Sequence, residues 1–373
     1  MRIAVISTSQ VPSNTANSIQ VLKVCQAYKQ IGHEVLLIIP GNKKYEWEEI
    51  KSNYGVTEKF EIRWIKSVKK LHRYDFAIFS IIYARKWKAD LIHTWTHQVA
   101  LFLNWIKKTY LLELHELPTG NFGPKLFKAI IKSSNKKRFL PITQTLAKRY
   151  ENEFQFKFSP GEIVISPDGV DIERYGNKQT PSEIRKKIGI KDNFSAVYTG
   201  HLYAGRGMNL MVELASLLPE IQFVWVGGRD NDVAYWRNII IDRNLNNIMI
   251  VGFVKNELIP LYQMAGDILL MPYEKSITGS SGGNTVDFCS PMKMFEYLAS
   301  GRPIISSDIP VFHEVLNSAN AIFCDSEDSL CWRDAVLQIY NHPTIAKSLS
   351  VQAKLDAQGY SWINRCKNGL ADF

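Results

Sequence analysis

The sequence predicts an α/β protein made of two doubly wound, parallel-sheet domains. Three observations carry that prediction. Short apolar runs alternate with helical stretches along the whole chain. The alternation breaks once, near residue 167, and then restarts. At 373 residues the chain is too long for one ordinary core and suits two. Hydrophobic residues make up 46% and charged residues 22%, which leaves enough apolar surface for real cores and excludes a disordered chain.

Arg2–Thr8 has the pattern of a buried strand. Ser18–Ile31 shows helical periodicity through Ile19, Leu22, Val24, Cys25 and Tyr28, and Gly32 stands where a helix ends. Glu34–Ile39 is the next strand, followed by Asp90–Thr94, Tyr110–Leu114, Phe139–Ile142 and Glu162–Ser166, with helical stretches between them. The turn-rich Ser166-Pro167-Asp168-Gly169-Val170-Asp171 marks the break. Strands then recur at Phe194–Thr199, Ile221–Val226, Ile248–Val251, Ile268–Met271, Pro303–Ser306 and Ala321–Cys324. The expected division is 1–166 and 167–355, with a helix in 356–373 packing back on the first domain. Each domain reads as Rossmann-like, and the default ligand site is the cleft between them, because such sheets bind at the carboxyl ends of their strands. The Gly/Ser-rich Thr278–Asn284 reads as a mobile loop.

Several function classes are disfavoured. No apolar run approaches the roughly 18 residues needed to cross a bilayer, Phe76–Ala84 being the longest candidate. The apolar start, Met1–Ile6, reads as a strand rather than a leader. Five scattered cysteines lack metal-ligand spacing and read as reduced thiols, which points to the cytoplasm. Residues 1–166 carry 26 Lys and Arg against 13 acidic residues, whereas 167–373 carry 19 against 23. The basic excess therefore belongs to the first half, in clusters such as Arg63–Arg73, Arg85–Lys88 and Lys125–Arg138. It suits an anionic membrane face or acceptor, with a solvated surface as the plain alternative. Leu126, Phe127, Ile130 and Ile131 among the lysines are the expected apolar part of a membrane face. No nucleic-acid recognition motif is visible.

The most informative segment is Ser290–Pro303. Ser290 is a good N-cap and Pro291 suits the first helical position. Lys293 then breaks a local rule, since a cation in the first turn opposes the helix dipole at a cost of roughly 0.3–1 kcal/mol. An anion bound at that end would reverse the sign, so Ser290, Pro291, Met292 and Lys293 predict a phosphate site. The plain alternative is a surface pair between Lys293 and Glu296. A second segment, Val197–Gly207, ends a strand in a glycine loop containing Gly200, His201 and Arg206, which suits close approach to a diphosphate. His93 and His115 close two apolar strands, where either could bond a reacting ligand or serve as a satisfied structural histidine. Neither stands at triad spacing, and no cluster has convincing metal spacing.

These segments, in this order, resemble the retaining glycosyltransferases of family 4, the group 1 glycosyl transferases of GT-B fold. Asn17-Ser18-Ile19-Gln20 through Val35 is similar to the family's first loop, helix and strand. Pro167-Asp168-Gly169-Val170-Asp171 resembles P-N-G-V-D, Gly200–Gly207 resembles G-R-L…K-G, and Glu296 with Gly301-Arg302-Pro303 resembles the second half of E-x7-E. The resemblance implies that Glu296 bonds the donor ribose and that Arg206 holds the diphosphate. It also implies that backbone near Phe253 meets the base, that His115 sits near the transferred sugar, and that the loop before Asn17 faces the acceptor, with Ser18 and His93 on the same side. Phe288 stands where the family's first motif glutamate would fall, and His201 and Arg206 replace its arginine and lysine. The Ser-Pro-x-Lys form at 290–293 is similar to a subgroup linked to surface polysaccharides. The implied activity is transfer of a sugar from a UDP- or GDP-type nucleotide-sugar to a saccharide or lipid-linked acceptor, with retention. No metal or other cofactor and no nucleic acid are expected; peripheral contact with the inner face of an anionic membrane is open to the basic half. A sugar-nucleotide epimerase and an inactive nucleotide-binding relative are the alternatives on the same architecture.

Overall fold

The computed structural model describes residues 1–13, 15–176, 179–277 and 284–373. The chain divides into two compact units, Met1–Asp168 with Trp362–Phe373, and Gly169–Ser361.

The first unit runs β1 (Arg2–Ile6), α1 (Ala16–Gln30), β2 (Glu34–Pro40), α2 (Trp47–Tyr54), β3 (Glu61–Ile65), α3 (Tyr74–Lys86), β4 (Leu91–Thr94), α4 (His97–Trp105), β5 (Tyr110–Leu114), α5 (Gly123–Lys132), β6 (Lys137–Pro141) and α6 (Gln144–Phe154). Its parallel strands pair in the order β3-β2-β1-β4-β5-β6. Ile3, Ala4, Val5 and Ile6 are fully buried because helices cover both faces, which is why β1 reads as a continuous apolar run.

The second unit runs α7 (Pro181–Ile188), β7 (Ser195–Thr199), α8 (Met208–Leu217), β8 (Gln222–Val226), α9 (Asp230–Asp242), β9 (Ile248–Gly252), α10 (Ile259–Ala265), β10 (Ile268–Met271), α11 (Met292–Ser300), β11 (Ile304–Ser307), β12 (Ala321–Cys324), α12 (Ser329–Asn341) and α13 (Pro343–Ala357). The order β12-β11-β10-β7-β8-β9 repeats the topology of the first sheet. Local rules set individual elements. Thr180 and Glu183 form a capping box around Pro181, and Gly189 closes α7 at φ 72°. A final helix, α14 (Trp362–Leu370), belongs to the first unit.

Each sheet reverses its winding once, between β1 and β4 in the first and between β7 and β10 in the second. Ligands of doubly wound sheets bind outside the carboxyl ends at that switch. Three expectations need correction. Glu162–Ser166 lies beside β6, with Phe139 N–H donating to Glu162 O at 2.7 Å, but makes only an isolated bridge at Ile163 and no strand. The sheet instead gains the edge strand β3, whose alternating Glu61, Ile62, Arg63 and Trp64 do not form an apolar run. Residues 356–361 stay with the second unit, where Asp356 accepts from Asn320 at 2.8 Å, so the returning segment starts at Trp362. Residues 278–283 of the expected mobile loop lie outside the described residues.

Candidate functional site

In the second unit the site grows from the end of β7. Gly200 has φ +142°, and a Cβ there would come within 2.6 Å of Lys293 Nζ. Gly207 has φ +71°, and a Cβ would stand 1.8 Å from the Pro272 carbonyl oxygen, so the loop can close on β10 only with glycine at that position. The Glu274 carboxylate ties the loop down by accepting the Gly205 and Gly207 N–H groups, both at 3.2 Å.

Two cations meet above this loop. Lys293 Nζ lies 3.9 Å from the centroid of the Tyr198 ring and 5.2 Å from that of Tyr273. The Arg206 guanidinium lies 5.0 Å from the Tyr203 ring and 4.9 Å from Tyr273, and it donates to the Tyr203 hydroxyl at 2.9 Å. Lys293 Nζ and Arg206 Nε are buried and have no hydrogen-bond partner among the described residues. Lys293 makes no ion pair with Glu296 among the described residues, so the plain surface-pair reading does not hold. Burial, reinforced by the neighbouring Arg206, holds the Lys293 ammonium well below the usual lysine range. His201, stacked on Tyr203 at 5.0 Å, is pushed down to about 4 by burial, with Arg206, Lys293 and Arg229 adding to the effect. A buried donor without an acceptor costs about 1–3 kcal/mol, more when charged, so the arrangement suits an anion.

Lys293 stands in the first turn of α11, whose amino end no side chain caps. The helix starts one residue later than its sequence suggests. Pro291, at φ −70° and ψ 125°, occupies the capping position, and its carbonyl accepts Met294 N–H at 2.9 Å, so buried Ser290 lies one residue too early to be the N-cap. One turn on, Glu296 accepts from Gln263 Nε2 at 2.9 Å. Gln263 is fully buried. It also donates to Thr199 Oγ1 at 3.0 Å and accepts from the Tyr175 hydroxyl at 2.6 Å, so the end of β7 and Glu296 are held by one amide. Phe288 is buried, whereas the adjacent Asp287 is exposed. Phe253 is exposed just after β9, where Gly252 O accepts Gly227 N–H at 2.7 Å.

In the first unit the strand ends gather a different set. Glu113 is fully buried in β5, and Arg365 of α14 donates to both its oxygens at 2.8 Å. His93 Nε2 lies 2.9 Å from Glu113 Oε1, and His115 Nε2 lies 3.2 Å from Oε2. Burial alone would raise the Glu113 carboxyl; Arg365 and the two histidines outweigh it and hold it well below the usual carboxylate range. His93 also contacts the Tyr28 hydroxyl at 2.9 Å and stacks on Trp95 at 4.5 Å. Both its ring nitrogens are engaged and the ring is buried, so His93 stands behind His115 and offers nothing to an acceptor. Ser18 is likewise buried, with its hydroxyl donating to Thr15 O at 2.8 Å, so it fastens the start of α1. Asn17 is exposed and accepts from Ser9 Oγ. His115 is part-exposed, and Gln20 Nε2 donates to Asp168 Oδ1 at 2.6 Å close by.

Sequence reasoning missed Tyr198, Tyr203, Tyr273, Glu274 and Gln263 in the second unit, and Glu113, Arg365, Gln20 and Trp95 in the first. One signal was available. Glu113 sits between Leu112 and Leu114 in an apolar strand, and a carboxylate in a buried strand demands a counter-ion. Among the described residues no group of three or more His, Cys, Asp or Glu side chains could hold a metal ion.

Residues 193–342 match the family model for glycosyl transferases group 1, the family whose ordered motifs the sequence carries. The chain is 24% identical to alpha-monoglucosyldiacylglycerol synthase of Acholeplasma laidlawii, over 97% of this chain and 94% of that one. The fold superposes on the crystal structure of HepE from Anabaena in complex with UDP-glucose at a TM-score of 0.73, with 13% identity and 99% and 98% of the two chains covered. It superposes on a glycosyltransferase from Rickettsia africae at 0.76, with 14% identity and 100% and 99% covered.

Proposed function

The chain is a group 1 glycosyltransferase of GT-B fold, and from that premise we propose that it moves a sugar, with retention, from a UDP- or GDP-type nucleotide-sugar to a saccharide or lipid-linked acceptor in glycolipid or polysaccharide assembly. The observation that carries this reading is the pair of buried cationic side chains, Lys293 and Arg206, whose Nζ and Nε have no hydrogen-bond partner among the described residues, at the switch point of the second sheet and beside the uncapped amino end of α11. As the bond to the sugar breaks, negative charge grows on the departing diphosphate. Donors already in place stabilise that charge without reorganisation, and the reading assigns this task to Arg206, Lys293 and the helix end rather than to a metal. Glu296 takes the ribose hydroxyls and backbone around Phe253 takes the base. The related proteins support the substrate class, since HepE binds UDP-glucose and the Acholeplasma laidlawii relative is a monoglucosyldiacylglycerol synthase.

A thermal-shift series over UDP, GDP, ADP and CDP tests the donor assignment. One diphosphate should stabilise the protein selectively, and Glu296→Ala should reduce that shift; no stabilisation by any of them removes the reading. Lys293 adds a pH signature. Its proton affinity is depressed in the free protein and restored beside a diphosphate, so binding takes up a proton. Affinity should then fall with rising pH by up to about tenfold per unit between the free and bound values. Calorimetry in two buffers of different ionisation enthalpy measures the uptake; zero uptake across the window would show that Lys293 does not meet the anion.

The acceptor side carries a membrane proposal, on residues other than those the sequence suggests. Phe127 and Ile130 are fully buried against the core of the first unit, and Lys137 and Arg138 are buried too, which leaves only half-buried Leu126 and Ile131 of the expected apolar side of α5. One group of exposed apolar side chains is Ile78, Phe79 and Ile82 of α3, with Trp105 and Ile106 at the end of α4, which packs against α3. Helix α3 also buries Phe76, Ala77, Ile81 and Ala84, so it is apolar all round, and such a helix needs a second covering surface. Arg85, Lys86, Lys107 and Lys108 flank it. No helix among the described residues is long and apolar enough to cross a membrane, so contact would be peripheral. The protein should sediment with vesicles containing phosphatidylglycerol at low salt, less so at high salt, and hardly with phosphatidylcholine alone. Absence from anionic vesicles at both salts removes the proposal.

A further inference from the structure

The hydrogen bonds around Glu113 fix where the protons sit, and that has a consequence for His115. A carboxylate has about four lone-pair sites. Glu113 fills them with Arg365 Nη1, Arg365 Nη2, His93 Nε2 and His115 Nε2, at 2.8, 2.8, 2.9 and 3.2 Å. Arg365 keeps the carboxylate ionised, so it only accepts, and both histidines must carry hydrogen on Nε2. His93 Nδ1 is then the acceptor for the Tyr28 hydroxyl at 2.9 Å, which completes the row without conflict.

Gln20 agrees with this ordering. The Trp95 indole N–H can only donate, and it gives its hydrogen to Gln20 Oε1 at 3.0 Å. The Gln20 amide nitrogen therefore donates to Asp168 at 2.6 Å; its 3.3 Å contact with His115 Nε2 is a competing donor contact, which yields to the acceptor-only Glu113 carboxylate at 3.2 Å. An unprotonated Nε2 would set its lone pair against the charged Glu113 oxygen, so the proton stays on Nε2. The nitrogen of His115 left for an outside partner is Nδ1.

We infer that Glu113, bonded through both oxygens to Arg365, is a positioning residue that selects the Nε2–H tautomer of the His115 imidazole, so that this ring presents the Nδ1 lone pair as an acceptor for a hydroxyl of the sugar substrate. The substrate part rests on the transferase reading; the proton placement does not. An acceptor atom there selects a group that donates, a sugar hydroxyl, over a carboxylate or phosphate oxygen at the same place.

Two measurements on the full chain separate the layers. Histidine-selective 15N labelling and long-range proton–nitrogen spectra at alkaline pH report each tautomer, with the His115 signals assigned by their loss in His115→Asn. The expected result is Nε2–H at both His93 and His115; an Nδ1–H form at His115 in the wild-type protein overturns the inference whatever the activity. Glu113→Gln offers one acceptor and one donor in place of two acceptors. It should convert one of the two rings to the other tautomer and lower kcat/KM by about 10–100-fold, as loss of an orienting partner does. The stabilisation by nucleoside diphosphate should stay unchanged. Because Glu113→Gln can fail to fold, His115→Asn and His115→Gln give an independent arm. Asparagine places an acceptor near the Nδ1 position and glutamine near Nε2. Asparagine should retain at least tenfold more kcat/KM than glutamine, and the reverse order overturns the inference. A wild-type protein with the expected tautomers and no transferase activity would remove the transferase reading and leave the proton placement standing.

Discussion

Replacing Arg365 by methionine is expected to destabilise the first unit by about 3–5 kcal/mol, the usual cost of removing one partner from a buried ion pair. The substitution leaves Glu113 buried with two histidines and no countercharge, and it also removes bonds from Arg365 to Pro167 O at 2.8 Å and Ser166 O at 3.1 Å. The pH dependence has a definite sign. With Arg365 present the Glu113 carboxyl is held low in the native protein, so it stabilises above the ordinary carboxylate range and that contribution fades as pH falls through the depressed value. In the variant the burial effect is unopposed by the guanidinium. The difference between the two proteins should be largest near neutrality and shrink in acid. Denaturant unfolding at several pH values measures it. An equal loss at all pH values would mean that Arg365 acts through packing alone. A Glu113→Leu/Arg365→Met double variant should recover much of the loss, since an apolar pair of similar volume is often as stable as a buried ion pair.

The second large effect belongs to Arg206. Its guanidinium lies between the Tyr203 and Tyr273 rings, and Nε has no hydrogen-bond partner among the described residues, so it is preorganised with a donor to offer. Arg206→Ala is expected to lower kcat by about 10²–10³-fold, the range for losing one donor to a developing negative charge, while donor affinity changes less. Steady-state and binding measurements on the same variant check the order. A large loss of affinity with kcat intact would assign Arg206 to holding the ground state.

Much of this was legible in the sequence, for physical reasons. Parallel strands buried on both faces are continuous apolar runs, so β1, β2, β7, β8 and β10 stand out, whereas β3 alternates Glu61 and Arg63 with apolar residues and looks like a loop. Lys293 was visible because it broke a helix-end rule. The tyrosines around it were not, because an aromatic residue at a strand end reads as core until its neighbours across the sheet are known. His93 and His115 are alike in sequence, each closing an apolar strand, and only the fold shows that one is sealed behind Glu113 while the other is part-exposed. Long-range partners explain most of what was missed. Glu113 and Arg365 are 252 positions apart, and no local pattern joins them.

The first unit is discontinuous, and translation gives that fact a temporal meaning. A polypeptide leaves the ribosome amino end first, so the six strands of the first sheet emerge with Glu113 among them long before Arg365 exists. Until α14 arrives, the nascent unit must keep that carboxylate protonated or wet, and its core cannot seal. The guanidinium thus acts as a late latch, because its pair with Glu113 can form only after the whole of the other unit has been synthesised.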